Sequence, residues 1–225
     1  KEKNPFLIVL ILISFSVAPA FLLGNDNRNY FAIAVMFLSP LIILSYGQFK
    51  IDIWLKLYIA SILFFPIFFN PDSLRWSTIF YSLLFCSTYI GYKLLLNRGF
   101  LSLRLYEKTL RYLIYAYAIM LLIQQLCVYF SLPIINVSNY NPIYLWKLNS
   151  LSSEPSHTAR IVGLLMYSYL CLYEFLSKKK YDLINNFRQA KILWLSFFWI
   201  MFSMGSGTAP IFLIIILIKV LEFKN

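Results

Sequence analysis

The sequence predicts an all-α, polytopic membrane protein with about eight transmembrane helices. Three observations predict this class. Hydrophobic residues make up 60% of the 225 residues and charged residues only 13%, apolar runs recur along the whole chain, and the cations are distributed unevenly between the breaks. The mean hydropathy of +0.71 is far too high for a soluble domain of this length. We therefore expect one helical domain over residues 1–225, with no soluble module attached.

Eight apolar runs are bounded by polar or charged residues, and most approach the 20 or so residues that a helix needs to cross a bilayer. The run that follows Lys1 and Lys3 begins like a signal peptide, but it is long enough to span and lacks a clear cleavage site, so we count it as a span. The last two runs are short, so the turn between them, Gly205–Thr208, is expected to lie below the membrane surface. The runs are Pro5–Leu23, Tyr30–Tyr46, Ile53–Phe69, Trp76–Leu96, Leu110–Leu132, Ala159–Leu176, Ala190–Met204 and Ala209–Phe223.

The cations predict the orientation, because Lys and Arg near the ends of spans are retained on the cytoplasmic side. With eight spans, all of the Lys and Arg residues fall on one side except Arg28, Arg75, Lys147 and Arg160. Both termini are therefore expected in the cytoplasm. This asymmetry, together with an anionic inner leaflet, accounts for the formal net charge of +11 without nucleic acid.

The longest outward connection in this topology is the loop over residues 133–158, whereas the other outward connections have only a few residues each. A loop of this length in a compact helical protein is a candidate functional element. Its "SSEPS" segment predicts the start of a helix, with Ser152 or Ser153 as the cap and Pro155 in the first turn.

Three reactive side chains follow this predicted cap. Glu154 and His157 are three residues apart and would share one helix face, with Arg160 about one turn further on. Glu can act as a base, His as a base or proton shuttle, and Arg can bind phosphate through its bidentate fork. An ordinary helix start explains the same residues, because a Glu here complements the helix dipole and His and Arg are common at membrane interfaces. Both interpretations stay open on spacing alone.

Other polar or aromatic residues also have two interpretations. Gln124 and Gln125 lie near the middle of a span, where interhelical hydrogen bonds or a substrate site would explain them. Arg28 and Arg75 lie in short outward turns that either contact phosphate or sugar or are simply solvated. Three aromatic side chains close to Lys147 either stack on sugar rings or belong to a membrane-interface belt: Tyr140, Tyr144 and Trp146.

Several functional classes of membrane protein have little support in the sequence. No span carries a charge at its centre, and no pair of Gly- or Pro-broken spans recurs, which disfavours a proton-coupled transporter. No HExxH or GxSxG motif is present, and no outward pair of carboxylates suggests a metal site. The cysteines Cys86, Cys127 and Cys171 lie inside apolar runs at spacings that fit neither disulfides nor zinc. We therefore predict no metal and no other cofactor.

Two segments resemble a known family. "SLSSEPSHTARIVGLL" follows the long outer loop, and "FSMGSGTAPIFLIIILI" follows one span later. The first resembles the Glu-Pro-Ser segment, and the second the Ser-rich junction, of the polytopic bacterial polysaccharide polymerases of the O-antigen polymerase and ligase group (Wzy-type). The likeness covers roughly residues 150–217, with many-span hydrophobicity before it, and both motifs are short and degenerate.

The resemblance implies a metal-independent glycosyltransferase of lipopolysaccharide, capsule or exopolysaccharide biosynthesis in the bacterial inner membrane. It would transfer glycan from an undecaprenyl-diphosphate carrier to a lipid-linked repeat unit at the outer face. The implied partners are this oligosaccharide substrate, membrane lipids, a flippase and a chain-length regulator, with no nucleic acid. We expect Arg160 and then Lys147 to neutralise the diphosphate, and Glu154 or alternatively His157 to act as the base. Ser206 and Thr208 would hydrogen-bond sugar or phosphate, and Trp146 would contact sugar.

The sequence departs from the family in two respects. The junction reads Gly205, Ser206, Gly207 where ligase relatives tend to carry Arg, and relatives usually have ten or more spans. These departures lead to two alternative expectations. Either the chain, which begins with Lys1 rather than Met, is a piece of a longer protein, or Arg28 and Arg75 complete the diphosphate clamp. The alternatives are an O-antigen ligase, a lipid-linked saccharide transporter or flippase, and a non-catalytic assembly subunit.

Overall fold

The computed structural model describes residues 5–19, 29–46, 51–69, 75–137, 143–177 and 183–222. These residues are mostly helical, and no β-strand occurs among them, so the predicted all-α class is confirmed. The helices are α1 (Phe6–Ser16), α2 (Tyr30–Tyr46), α3 (Ile53–Phe69), α4 (Trp76–Asn97), α5 (Leu103–Tyr129), α6 (Pro155–Ser177), α7 (Leu183–Gln189), α8 (Lys191–Ser203) and α9 (Ala209–Glu222).

Three helices of the described ranges, α4, α5 and α6, are long and apolar enough to cross a membrane. The longest, α5, has 27 residues, which at about 1.5 Å per residue exceeds the hydrocarbon thickness of about 30 Å. The helices α1, α2, α3, α8 and α9 are apolar but shorter. The lengths and compositions support a membrane protein, whereas the eight-span topology and its orientation stay predictions.

The first helix ends earlier than the apolar run predicted. The run extends to Leu23, but α1 ends at Ser16 and residues 17–19 are not helical. Pro19 disfavours a helical conformation at Ala18, and the Ala18 N–H donates instead to the Leu151 carbonyl at 2.8 Å. Residues 20–23 lie outside the described ranges.

The start of α5 and the presence of α7 also differ from the prediction. The fifth predicted span is Leu110–Leu132, whereas α5 begins at Leu103, where Ser102 Oγ accepts a hydrogen bond from Leu105 N at 3.2 Å. Its charged first turns are helical without being apolar, so hydropathy alone does not detect them. For the same reason the short polar helix α7 was not predicted.

The chain forms two compact units: Lys1–Leu12 with Phe31–Leu101, and Ile13–Tyr30 with Ser102–Asn225. We call them unit 1 and unit 2. In unit 1 the hydroxyl of Ser39 on α2 donates to that of Thr88 on α4 at 2.8 Å, and both residues are buried. The expectation of one helical domain over residues 1–225 stays a prediction.

Unit 2 contains a core in which α6 packs against α5 and α9, and α5 packs against α8. Large side chains that are fully buried fill this core: Tyr117, Leu121, Met166, Leu170, Leu193 and Phe197. The α5–α6 loop and the α8–α9 turn lie at one end of unit 2, because Gly205 lies beside Lys147 and Thr208 hydrogen-bonds to Ser156 at the start of α6. We call this end the loop end.

Candidate functional site

The loop between α5 and α6 is held by one side chain of α5, Gln124, which is fully buried. Its Oε1 accepts a hydrogen bond from Ser150 N at 2.8 Å, and its Nε2 donates to the Ile135 carbonyl at 2.8 Å. The same nitrogen lies 3.3 Å from Asn149 Oδ1. The partners of Gln124 are therefore atoms of the loop, and its role here is to order that loop.

Two buried asparagines extend this network within the loop. Asn136 Nδ2 donates to the Ser150 carbonyl at 2.8 Å, and Asn149 Nδ2 donates to the carbonyls of Asn136 at 2.9 Å and Ser152 at 2.5 Å. Asn136 and Ser150 have φ values of 60° and 51°, in the left-handed region that few residues other than glycine adopt. Ser150 Oγ also donates to the Tyr117 carbonyl of α5 at 2.7 Å. The loop backbone is therefore held both by hydrogen bonds within the loop and by a hydrogen bond to α5.

At the start of α6, the carbonyl of Glu154 accepts hydrogen bonds from His157 N at 3.1 Å and Thr158 N at 3.0 Å. Glu154 therefore occupies the cap position that we predicted for Ser152 or Ser153. Pro155 takes the first helical position, where a missing N–H costs nothing. Ser152 supports the start indirectly, because its Oγ donates to the Glu154 carbonyl at 2.8 Å and lies 2.5 Å from Thr158 Oγ1.

The predicted acid, imidazole and guanidinium all lie in this first part of α6, but no hydrogen bond or ion pair of the described residues joins them to one another. Glu154 Oε2 accepts from Ser156 Oγ at 3.2 Å. His157 Nδ1 lies 2.9 Å from Ser153 Oγ, with the donor set by the tautomer. Arg160 is exposed. Each group is thus oriented by a neighbouring hydroxyl or left open to the surroundings, rather than neutralised by the others.

The turn between α8 and α9 contacts the start of α6 directly. Gly205 has a φ of 58°, which a glycine adopts without strain. Ser206 Oγ and Thr208 Oγ1 lie 2.8 Å apart, and Thr208 Oγ1 donates to the Ser156 carbonyl at 3.2 Å. This last bond joins the two segments that carry the family resemblance.

Close packing of α6 on α9 keeps these segments together. A Cβ atom added at Gly163 would lie 2.5 Å from Cδ1 and 2.8 Å from Cβ of Phe212, far inside van der Waals contact. Only a residue without a side chain therefore permits this approach of the two helices.

The segment with Trp146 and Lys147 lies beside the same turn. A Cβ built on Gly205 would be 3.9 Å from Lys147 Cγ and from the Trp146 carbonyl. Lys147 Nζ lies 4.1 Å from the centre of the Tyr144 ring, a cation–π contact, and Trp146 is 61% exposed. Lys147, the start of α6 and the Ser206–Thr208 turn therefore form one cluster, which we call the outer cluster.

The other two predicted phosphate-binding arginines lie outside the described part of unit 2. Arg75 belongs to unit 1, where its carbonyl accepts from Thr78 N at 2.9 Å and its side chain lines a cavity of about 430 Å³ with Tyr58 and Ser61. Arg28 lies outside the described residues, as does the aromatic candidate Tyr140. Their predicted roles stay predictions.

Comparisons with protein-family models, with curated proteins and with solved structures find no match for this chain. Within the described ranges, no group of three or more His, Cys, Asp or Glu side chains could hold a metal ion. A function has therefore to be inferred from the residues of the chain and their geometry.

The sequence prediction missed the amide and hydroxyl network under the outer cluster. Its members are Gln124, Asn136, Asn149, Ser152 and Thr158, all of which are buried. One signal was available, namely the concentration of Asn and Ser in a single loop of a chain with few polar residues. That signal indicates that the loop is unusual, but it does not identify which side chains hydrogen-bond to one another.

Proposed function

We propose that this chain is a multi-pass bacterial inner-membrane enzyme that polymerises a polysaccharide. In this proposal eight spans place both termini in the cytoplasm and the outer cluster at the outer face. The single observation that carries the proposal is the hydrogen bond from Thr208 to Ser156, because it brings the two segments that resemble polysaccharide polymerases into one cluster beside Lys147.

The reaction is a glycosyl transfer between two lipid-linked substrates. The terminal hydroxyl oxygen of the acceptor sugar attacks the anomeric carbon of the donor glycan and forms the new glycosidic bond. The bond from that carbon to the undecaprenyl-diphosphate oxygen breaks, and the diphosphate leaves with the electron pair. The hydroxyl proton passes to Glu154, with His157 as the competing base. The products are a lipid-linked glycan lengthened by the donor chain and undecaprenyl diphosphate.

The arrangement around Glu154 is suited to a base. Its carboxylate accepts a hydrogen bond from Ser156 and makes no ion pair within the described residues, so it retains lone pairs for a substrate proton. Because Glu154 also provides the carbonyl that begins α6, its backbone position is fixed by the helix. His157 is similarly oriented by Ser153.

The leaving diphosphate needs cations. Arg160 is exposed one turn into α6, and Lys147 is exposed beside the Ser206–Thr208 turn. Arg matches phosphate oxygens through two parallel N–H donors, and Lys adds a point charge. Stabilising the negative charge that develops on the leaving group accelerates this kind of step.

The proposal is tested by measuring glycan length in cells whose only copy of the gene carries Glu154→Gln. This change keeps the size of the side chain and removes the base, so we expect polymerised product to fall by about 100-fold or more, leaving single repeat units. The matched control is Glu174→Gln, which alters a carboxylate on the same helix that lies 3.9 Å from Lys219 at the other end of unit 2, and it should give a normal ladder.

Protein levels in the membrane are measured in parallel for each variant. Arg160→Ala should also eliminate the ladder, because it removes the main cation for the diphosphate. A normal ladder from both Glu154→Gln and Arg160→Ala would refute the site. A normal ladder from Glu154→Gln together with its loss in His157→Gln would transfer the role of base to His157.

A further inference from the structure

A second polar site lies at the end of unit 2 opposite the loop end. It is a cavity of about 700 Å³ between the first half of α5, the second half of α6 and the junction of α7 with α8. Three cations of α5 line it, namely Arg104, Lys108 and Arg111. We call it the basic cavity.

The three cations fall on one face of α5, because their spacings of four and three residues match the helical repeat. Among the described residues, Glu107 is the one carboxylate that lines the cavity, and it lies 3.7 Å from Arg111. Positive charge is thus in excess, and like charges one turn apart repel each other. An anion in the cavity would relieve this repulsion.

One donor in the cavity wall has no hydrogen-bond partner among the residues that the structure describes. Arg111 Nε is buried and makes no hydrogen bond within the described residues. A buried N–H of this kind normally has an acceptor. An acceptor that is not among the described residues would therefore complete the hydrogen bonding of Arg111 Nε.

The opposite wall is aromatic and fixed in place. Tyr169 Oη accepts a hydrogen bond from Asn186 Nδ2 at 3.3 Å, and Asn186 Oδ1 accepts from Trp194 Nε1 at 2.9 Å. Tyr173 Oη donates to Gln189 Oε1 at 3.3 Å. Phenol rings held in this way offer both apolar surface and hydroxyl groups to an organic ligand.

We propose that the basic cavity binds a phosphate ester, with its anionic oxygens on Arg104, Lys108 and Arg111. Guanidinium groups recognise phosphate through paired N–H donors, and the cavity is larger than a phosphate ion, which leaves room for an organic group against Tyr169 and Tyr173. The phosphate belongs either to the headgroup of an anionic phospholipid or to a soluble phosphorylated compound. This site is independent of the proposed polymerase activity.

The test uses the purified chain in nanodiscs of phosphatidylcholine, with and without phosphatidylglycerol. Native mass spectrometry counts the phosphatidylglycerol molecules that the protein retains. Titration with inorganic pyrophosphate in phosphatidylcholine nanodiscs measures the affinity for a soluble phosphate. The variant is Arg104→Gln with Lys108→Gln, which removes two exposed cations from the cavity. The matched control is Lys191→Gln, an exposed cation of α8 that follows the cavity-lining Ala190 without lining the cavity itself.

We expect the double variant to weaken binding by about tenfold or more and the control to change it by less than about twofold. Preferential retention of phosphatidylglycerol, unaffected by pyrophosphate, assigns the site to a lipid headgroup. Saturable pyrophosphate binding in phosphatidylcholine assigns it to a soluble phosphate. The proposal is overturned if neither probe binds the wild type, or if the double variant binds as tightly as the wild type.

A further measurement needs no variant. Binding to the wild type should weaken as potassium chloride is raised, because salt screens partly exposed charges. Binding that does not depend on salt would also overturn the proposal, even if the double variant failed to fold.

Discussion

The two ends of unit 2 handle polar groups in opposite ways. At the loop end the buried groups are neutral amides and hydroxyls, and Gln124, Asn136 and Asn149 each hydrogen-bond to the loop. At the opposite end the polar groups of α5 are mostly charged, they line an open cavity, and Arg111 Nε has no partner among the described residues.

This difference indicates different tasks. A buried network whose members are all paired specifies one backbone geometry, which suits the proposed site and its two proposed substrates. Cations of like sign around a cavity are less stable alone than with a counter-ion, which is what a binding site for an anion requires. The first end is therefore sensitive to loss of a hydrogen bond, and the second to a change of charge.

The largest effect on stability is expected from Gln124→Leu. This change leaves the buried Ser150 N and the partly buried Ile135 carbonyl without their partner, and the loss of a buried partner costs about 1–3 kcal/mol. We expect the free energy of unfolding to fall by about 3 kcal/mol, as measured by equilibrium unfolding in mixed detergent and dodecyl sulfate micelles. The ordered loop should be lost, so polymer synthesis should fall as well.

The adjacent residue provides the matched control. Gln125 is also buried, but its Nε2 has no hydrogen-bond partner within the described ranges. Gln125→Leu removes an unpaired donor at similar volume, so the free energy of unfolding should change by less than about 1 kcal/mol. Equal destabilisation by the two changes would contradict the specific role of Gln124.

The next effect is expected from Gly163→Ala, which tests the approach of α6 to α9. The new Cβ would overlap the Phe212 ring, and such overpacking costs typically about 1–3 kcal/mol. Thermal unfolding should therefore occur at a lower temperature, and polymer yield should fall because Thr208 and Ser156 move apart.

Gly207→Ala is the control for this change, because a Cβ at Gly207 meets nothing within 4 Å. Combining Gly163→Ala with Phe212→Ala should destabilise the protein by less than the sum of the two single changes, since the two sites are in contact and the truncated side chain no longer overlaps the new Cβ. Additive losses in the double variant would show that the overlap is not the cause.

The sequence predicted the helices best where polar residues bound an apolar run. The bounds of Tyr30–Tyr46 and Ile53–Phe69 are the same in the prediction and in the structure. The prediction failed where helix formation and hydropathy diverge. The first turns of α5 carry Arg104 and Lys108 and are helical without being apolar, so the stripe of cations in the basic cavity was not recognised.

For the candidate site, the sequence identified the segments but not their contacts. Helical spacing placed Glu154, His157 and Arg160 near one another, but it could not show that the partners of the first two are Ser156 and Ser153. The bond between Thr208 and Ser156 spans 52 residues. Such a contact depends on how α6 and α9 pack, which no local pattern encodes.

A smaller effect is expected at the basic cavity from Glu107→Gln. The change removes the carboxylate that lies 3.7 Å from Arg111 and so raises the positive charge of the cavity. We expect pyrophosphate or phosphatidylglycerol to bind about threefold more tightly, as expected for a partly exposed charge. Glu174→Gln is the control. Weaker binding in Glu107→Gln would mean that this carboxylate orients Arg111 rather than competes with the anion.

The smallest effect is expected from Asp52→Asn in unit 1, where a partly exposed carboxylate in a close ion pair gives a reference for the excess positive charge of the cavity. Asp52 Oδ2 lies 2.7 Å from Lys93 Nζ, and its other oxygen accepts from Leu55 N at 2.9 Å. The hydrogen bond from Lys93, followed by that from Leu55, holds the pKa of Asp52 below its ordinary value. Asn keeps the helix cap and removes the charge.

Because the folded-state pKa of Asp52 is lowered, its contribution to stability is present above the ordinary carboxyl pKa of about 3.9 and is lost as the pH falls through the lowered pKa. At pH 7 the variant should therefore unfold at a temperature lower than the wild type by no more than about 2 °C. This difference should vanish on acidification below the lowered pKa. A difference that persists in acid would mean that the side-chain amide disturbs the cap, and that the ion pair itself contributes nothing measurable.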